Sequence, residues 1–159
     1  MAQTRRQIRE KVLQVLYAQE LSKDPIEKIK SDLLQDISDK ESYIFAEKMI
    51  HYSIDNRERY DKLIKTTVDN WDIERIALID FIIIKMCLSE FFYFEEIPPK
   101  VSINEAIDLA KDYSTRNSGK FVNGILDSLL NSLLKKGEIT KKGKGLITQS
   151  TKAKTNPEE

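Results

Sequence analysis

The stretch IALIDFIIIKMCLSEFFYF, residues 76–94, is the longest apolar run of the 159-residue chain and decides how the rest must fold. It is long enough to cross a bilayer. However, Asp80, Lys85 and Glu90 lie inside it, and each charge is costly in lipid. We therefore expect this segment to be buried inside a globular domain and not in a membrane.

The same run is predicted to be a helix over residues 73–94, with Asp72 as its N-cap. Three consecutive isoleucines at 82–84 would suit a strand. The run is too long for one strand, though, and no hairpin partner is visible. A helix that is apolar on most faces belongs at the centre of its domain.

Turn signals are nearly absent from the first part of the chain. No glycine occurs before residue 98, and Pro25 is the one proline in that stretch. Tight β-hairpins usually require Asn-Gly, Asp-Gly or similar turns. The sequence therefore predicts an all-α fold of about seven helices.

The six other helices are recognised from apolar stripes with helical spacing, most of them preceded by a capping signal or a proline. They are expected at about 4–21, 25–37, 38–52, 56–70, 102–114 and 120–134. Capping boxes are predicted at Thr4 with Gln7, Ser38 with Glu41, and Ser102 with Glu105. Gly124, inside the last helix, predicts close approach of a neighbouring backbone, since a helical glycine costs about 1 kcal/mol relative to alanine.

Charge is balanced overall but unevenly distributed. The chain has 26 basic and 26 acidic residues, with basic excess at both ends: four against one over 1–11, and seven against three over 135–159. Basic ends on an acidic body suit an anionic partner such as nucleic acid, although two solvated tails would give the same pattern. We expect a helical domain over 1–135 and a basic, disordered tail over 136–159.

The sequence offers little for catalysis. Cys87 and His51 are the only residues of their types, which excludes a disulfide framework and a cysteine zinc site. Cys87 is expected to be a small buried hydrophobe and His51 a surface or packed side chain. No glycine-rich nucleotide loop is present. We therefore predict a protein without enzymatic activity.

An arginine cluster in the first helix is more informative. Arg5 and Arg9 are four residues apart and share a face, while Arg6, Leu13 and Tyr17 fall in a narrow sector. Guanidinium groups bind phosphate and tyrosine can stack on bases, which would suit RNA or DNA. Alternatively, Leu13 and Tyr17 are core residues and the arginines are solvated.

Two segments resemble the NusB family of bacterial transcription antitermination factors. TRRQIREKVLQVLYAQE, residues 4–20, resembles the family's opening helix, and IPPKVSINEAIDLAKDYSTRNSGKFVNGILD, residues 97–127, resembles its P-x-x-V-x-I-N-E-A and K-F-V-N-G signatures. The resemblance extends over roughly 4–134. Departures from the family pattern include Gln7, Phe81, Lys85 and Asn117.

The resemblance implies an all-α fold of two small helical bundles packed crosswise, with no catalytic activity and no cofactor. It also implies a cytoplasmic factor that binds boxA-type RNA together with NusE, a small-subunit ribosomal protein. In this role the pair helps RNA polymerase to read through terminators, notably on ribosomal RNA operons. Two alternatives remain: a pure protein-interaction module, and a detached targeting domain related to ribosomal RNA methyltransferases.

Site residues follow from the same resemblance, position by position. The expected RNA contacts are Arg5, Arg6, Arg9, Tyr17, Lys120 and Phe121. Asp80 and Glu90 are expected on the side that faces NusE.

Overall fold

The computed structural model describes residues 3–68 and 75–141, and within these ranges every regular element is an α-helix. The predicted all-α class is confirmed, and the described residues form seven helices, as many as predicted. The seven helices are α1 (Arg5–Leu21), α2 (Ile26–Leu33), α3 (Lys40–Asp55), α4 (Arg57–Thr67), α5 (Leu78–Tyr93), α6 (Pro99–Tyr113) and α7 (Ser118–Lys135). None of them is both long and apolar enough to span a membrane.

The helices form two groups that share α5. Helices α1, α2 and α3 pack together, as do α4, α6 and α7, and α5 contacts α1 and α3 as well as α4, α6 and α7. Its buried side chains are apolar on nearly every face, including Ile83, Ile84, Leu88 and Phe91. The apolar run of the sequence is thus the central helix, as predicted.

Helix starts agree with the sequence only in part. The capping box of Thr4 and Gln7 is present at α1. At α3 the cap is Asp39 and not Ser38, because the Asp39 side chain accepts a hydrogen bond from the Ser42 N–H. Pro25 is the N-cap of α2 and not its first helical residue.

Helix α6 begins three residues before the predicted capping box. Pro98 is its N-cap and Pro99 its first residue, a position where the ring fixes a helical φ and the missing N–H costs nothing. Ser102 and Glu105 therefore lie inside the helix and bind side chains of other helices. The predicted start of α5 at 73 lies outside the described residues, and α5 begins at Leu78.

The chain beyond α7 packs against the body as far as the structure describes it. Ile139 is buried, and the Lys141 ammonium donates hydrogen bonds to the main-chain oxygens of Glu90 and Phe94, both at 2.8 Å. Cations commonly bind the free carbonyls at a helix C-terminus in this way. The domain boundary predicted at 135 is therefore wrong by at least six residues; 142–159 lie outside the described part.

Gly124 does not make the close approach predicted for it. A Cβ built at this position meets no atom of the described chain within 4 Å. Gly119 is the glycine at a tight contact, since its Cβ would lie 3.1 Å from the Lys111 side chain on α6. Gly124 instead lies on the exposed side of α7.

Candidate functional site

Arg9 is a core residue and not a surface cation. Only 3% of it is exposed, and its Nε and Nη2 each donate a hydrogen bond to a carboxylate oxygen of Glu90 at 2.8 Å. Burial by itself would lower the pKa of Arg9, but the hydrogen bonds and charge of Glu90 outweigh it and raise that pKa. The prediction of Arg9 as an RNA contact is wrong, because its guanidinium is buried and hydrogen-bonded to Glu90.

Glu90 is at the centre of a buried polar cluster that joins four segments. Its carboxylate also accepts a hydrogen bond from Ser102 Oγ on α6 at 2.7 Å, and its main-chain oxygen accepts one from Lys141. Only 2% of Glu90 is exposed. The prediction that Glu90 faces a protein partner is therefore wrong: it connects α1, α5, α6 and the C-terminal segment.

Asp80 has a similar structural role at the other end of α5. It is 5% exposed, and one carboxylate oxygen accepts a hydrogen bond from Ser118 Oγ at 2.8 Å. The bond ties the start of α5 to the start of α7. A residue so deeply buried cannot meet a partner directly, so this predicted contact is wrong as well.

Arg6 is half-buried and already held by acids of α6. Its Nε donates to Glu105 at 2.6 Å and its Nη2 to Asp108 at 2.7 Å. The hydrogen bond that Arg6 donates to Glu105 is the main reason why the pKa of Arg6 is raised. Arg6 is at the surface, but a phosphate would have to compete with two carboxylates for it.

Arg5 is the most accessible of the three arginines. Its guanidinium lies 4.0 Å from the centre of the Phe45 ring and 3.6 Å from Glu41, which is itself exposed. Stacking on Phe45 fixes the side chain while leaving N–H groups open to solvent. This arrangement preorganises a fork for a phosphate.

Tyr17 lies further along α1, about 120° around the helix from Arg5 and close to the direction of Arg6. It is 37% exposed, so part of its side chain is open to solvent. Leu13 is buried in the core, so that part of the alternative interpretation is correct. Tyr113, the last residue of α6, lies near Gln14 and Glu10 of α1. The sequence analysis did not single out Tyr113.

Lys120 and Phe121 belong to the first turn of α7, Lys120 exposed and Phe121 half-buried. Helix α6 joins them to α1, because Gly119 packs against Lys111 and Ile107 of α6 while Glu105 and Asp108 of the same helix hold Arg6. The exposed parts of α1, α6 and α7 thus form one surface, which we call the α1–α6–α7 surface.

His51 and Cys87 are the other reactive side chains that the sequence singled out. His51 pairs with Asp55 at 3.0 Å on the exposed side of α3, and Cys87 is buried with a pKa raised by desolvation. Over residues 3–68 and 75–141, no group of three or more His, Cys, Asp and Glu side chains could hold a metal ion.

Comparison with known proteins gives a consistent result. The model of the NusB family matches residues 6–131. The chain is 42% identical over 146 residues to transcription antitermination protein NusB of Chloroherpeton thalassium, covering 91% of this chain and 69% of that protein. It is 40% identical over 153 residues to the protein of the same name from Salinibacter ruber, covering 93% and 94%.

Solved structures share the fold. T. maritima NusB superimposes with a TM-score of 0.76 at 32% identity, covering 82% of this chain and 93% of that one. A chain from the crystal structure of antitermination factors NusB and NusE in complex with dsRNA gives a TM-score of 0.72 at 22% identity, covering 80% and 96%. At 22% identity, the likeness to this second structure concerns the fold alone.

Proposed function

Because the chain belongs to the NusB family of transcription antitermination proteins, we propose that it binds boxA-type RNA together with a NusE protein. Bound in this way, it helps RNA polymerase to continue through terminators on ribosomal RNA operons. Its location is then the bacterial cytoplasm, where transcription takes place. The role is one of binding, without catalysis or a cofactor.

The observation that carries the proposal is an accessible arginine on a helix that also exposes a tyrosine. Arg5 is held over Phe45 with its guanidinium open to solvent, and Tyr17 is exposed further along α1. They lie twelve residues apart, which is about 18 Å along the helix and about 120° around it. An extended strand of several nucleotides that contacts both therefore passes partly around α1, with the cation at one end and the aromatic ring at the other.

Arg6 on α1, and Lys120 with Phe121 on α7, extend the site. Arg6 becomes a phosphate ligand only when RNA displaces Glu105 or Asp108 from its guanidinium, which reduces its net contribution. Lys120 lies across α6 on α7 and offers a second accessible cation, with Phe121 beside it. Arg9 contributes indirectly, by holding α1 in place.

The test is a titration of labelled boxA-like RNA with the wild-type protein, Arg5→Ala and Arg57→Ala, each with and without NusE. Arg57 is an exposed arginine just beyond the far end of α3, about 24 Å along that helix from the end near Arg5. We expect Arg5→Ala to weaken binding about tenfold, as for one charge-assisted hydrogen bond. It should also reduce the slope of log K against log salt by about one.

Each negative outcome has its own meaning. Equal binding by wild type, Arg5→Ala and Arg57→Ala would contradict the placement of the site on α1. Failure of the wild type to bind RNA in the presence of NusE would contradict the proposed function. NusE binding without any RNA binding would favour the protein-interaction module instead.

A further inference from the structure

Gly124 is a residue of low helix propensity inside a regular helix, and its presence there needs an explanation. It is in the interior of α7, the 18-residue helix Ser118–Lys135, where glycine is the least favourable residue after proline. Its φ is not positive, so the backbone does not require glycine. No atom of the described chain would obstruct a Cβ there. Neither the backbone nor the packing within the described residues therefore accounts for a glycine.

The surroundings of Gly124 on the helix surface are suited to a ligand. Lys120 precedes it by four residues and Phe121 by three, so both adjoin it, one on each side, about one turn towards the N-terminus. Lys120 is exposed and Phe121 half-buried. The buried stripe, which includes Val122, Ile125 and Leu126, is on the opposite side. Gly124 is thus in the middle of the exposed face.

We propose that the sugar–phosphate backbone of bound RNA crosses α7 at Gly124, and that the missing side chain is what allows it to come into van der Waals contact with the helix. The inference rests on the proposed RNA-binding function and adds a contact position to it. A cation on one side of the glycine suits a phosphate, and an aromatic ring on the other suits a base. Asp127, three residues further on, would repel phosphates, so the strand crosses the helix and does not run along it.

The proposal predicts opposite effects on folding and on binding. Gly124→Ala should raise the melting temperature by about 2–4 °C, because alanine favours the helix and its methyl group has room. The same methyl group should weaken RNA binding about fivefold, since overpacking a close contact is unfavourable. Gly124→Leu keeps a high helix propensity and should weaken binding further.

The experiment measures melting temperature, affinity for boxA-like RNA and affinity for NusE without RNA. The proteins are the full chain, Gly124→Ala, Gly124→Leu and Ser128→Ala. Ser128→Ala is the matched control, because it is exposed on the same face one turn later and gains helix propensity without gaining bulk. We expect it to bind RNA like the wild type.

Several results would overturn the inference. An unchanged RNA affinity of both Gly124 variants alongside normal wild-type binding would refute it and leave the proposed function standing. A lower melting temperature of Gly124→Ala would mean that the chain itself fills this space. A loss confined to NusE binding would assign the face to a protein. Absence of RNA binding by the wild type would overturn both proposals.

Discussion

Replacing Arg9 by alanine should destabilise the fold and should not act as the loss of a surface contact. The substitution removes two hydrogen bonds of 2.8 Å and leaves the Glu90 carboxylate buried with Ser102 as its remaining side-chain donor. Breaking one partner of a buried pair costs about 3–5 kcal/mol, because the other charge is left uncompensated. For a chain of this size, that corresponds to a fall in melting temperature of about 6–20 °C.

The assay is urea unfolding followed by circular dichroism, with Arg5→Ala as the control on the same helix. Arg5 is exposed, so its loss should change the free energy of unfolding by about 1 kcal/mol or less. The double variant Arg9→Met with Glu90→Met should recover most of the stability lost in Arg9→Ala, since apolar residues of similar volume often replace a buried pair without cost. If Arg9→Ala melts like the wild type and loses RNA binding, Arg9 is a ligand and the reasoning is refuted.

Three more predictions concern the ends of the central helix. Truncation after Lys136 should lower the melting temperature, because it removes the buried Ile139 and Lys141, and an unchanged midpoint would show that this segment adds nothing. Burial lowers the pKa of Lys141 to about 8, so the unfolded chain binds the extra proton between pH 8 and 10.5. The free energy of unfolding of the wild type should therefore rise with pH in this window relative to that of Lys141→Met. Urea titration at each pH measures it, and the same pH dependence in both proteins would contradict the prediction. Asp80→Lys should unfold or strongly destabilise the protein, whereas the side-chain oxygen of Asp80→Asn can still accept the hydrogen bond from Ser118. If Asp80→Lys melts at the wild-type temperature, the side chain at position 80 is at the surface and the reasoning is wrong.

Local features of the sequence predicted the fold well. Three signals depend only on residues that are neighbours in the sequence: the capping box at Thr4, the apolar run of α5 and the lack of hairpin turns. The structure has the cap at Thr4 and the apolar central helix, and its described elements are all helices. The error at α6 is instructive: Ser102 and Glu105 have the spacing of a capping box, but the preceding Pro98-Pro99 pair starts the helix sooner. A proline at the first helical position was the stronger signal.

The candidate site was harder to predict because burial depends on distant partners. Arg5, Arg6 and Arg9 are similar by spacing, yet Arg9 is buried because Glu90, eighty-one positions later, lies opposite it. A charged pair of that kind has no periodicity to reveal it. The charges inside the apolar run were a usable clue, since Asp80 and Glu90 on a central helix needed internal donors.

Arg9 and Lys141 meet at Glu90 although they are near opposite ends of the described chain, and this has a consequence for biosynthesis. At about 5–20 residues added per second, Arg9 waits about 4–16 s before Glu90 is made, and Glu90 waits about 3–10 s more for Lys141. During the first of these intervals α1 has its arginine, but the Glu90 that receives it has not been made. The fold is therefore completed late in translation, and a ribosome that stalls before residue 141 holds a nascent chain whose central ionic cluster is still open.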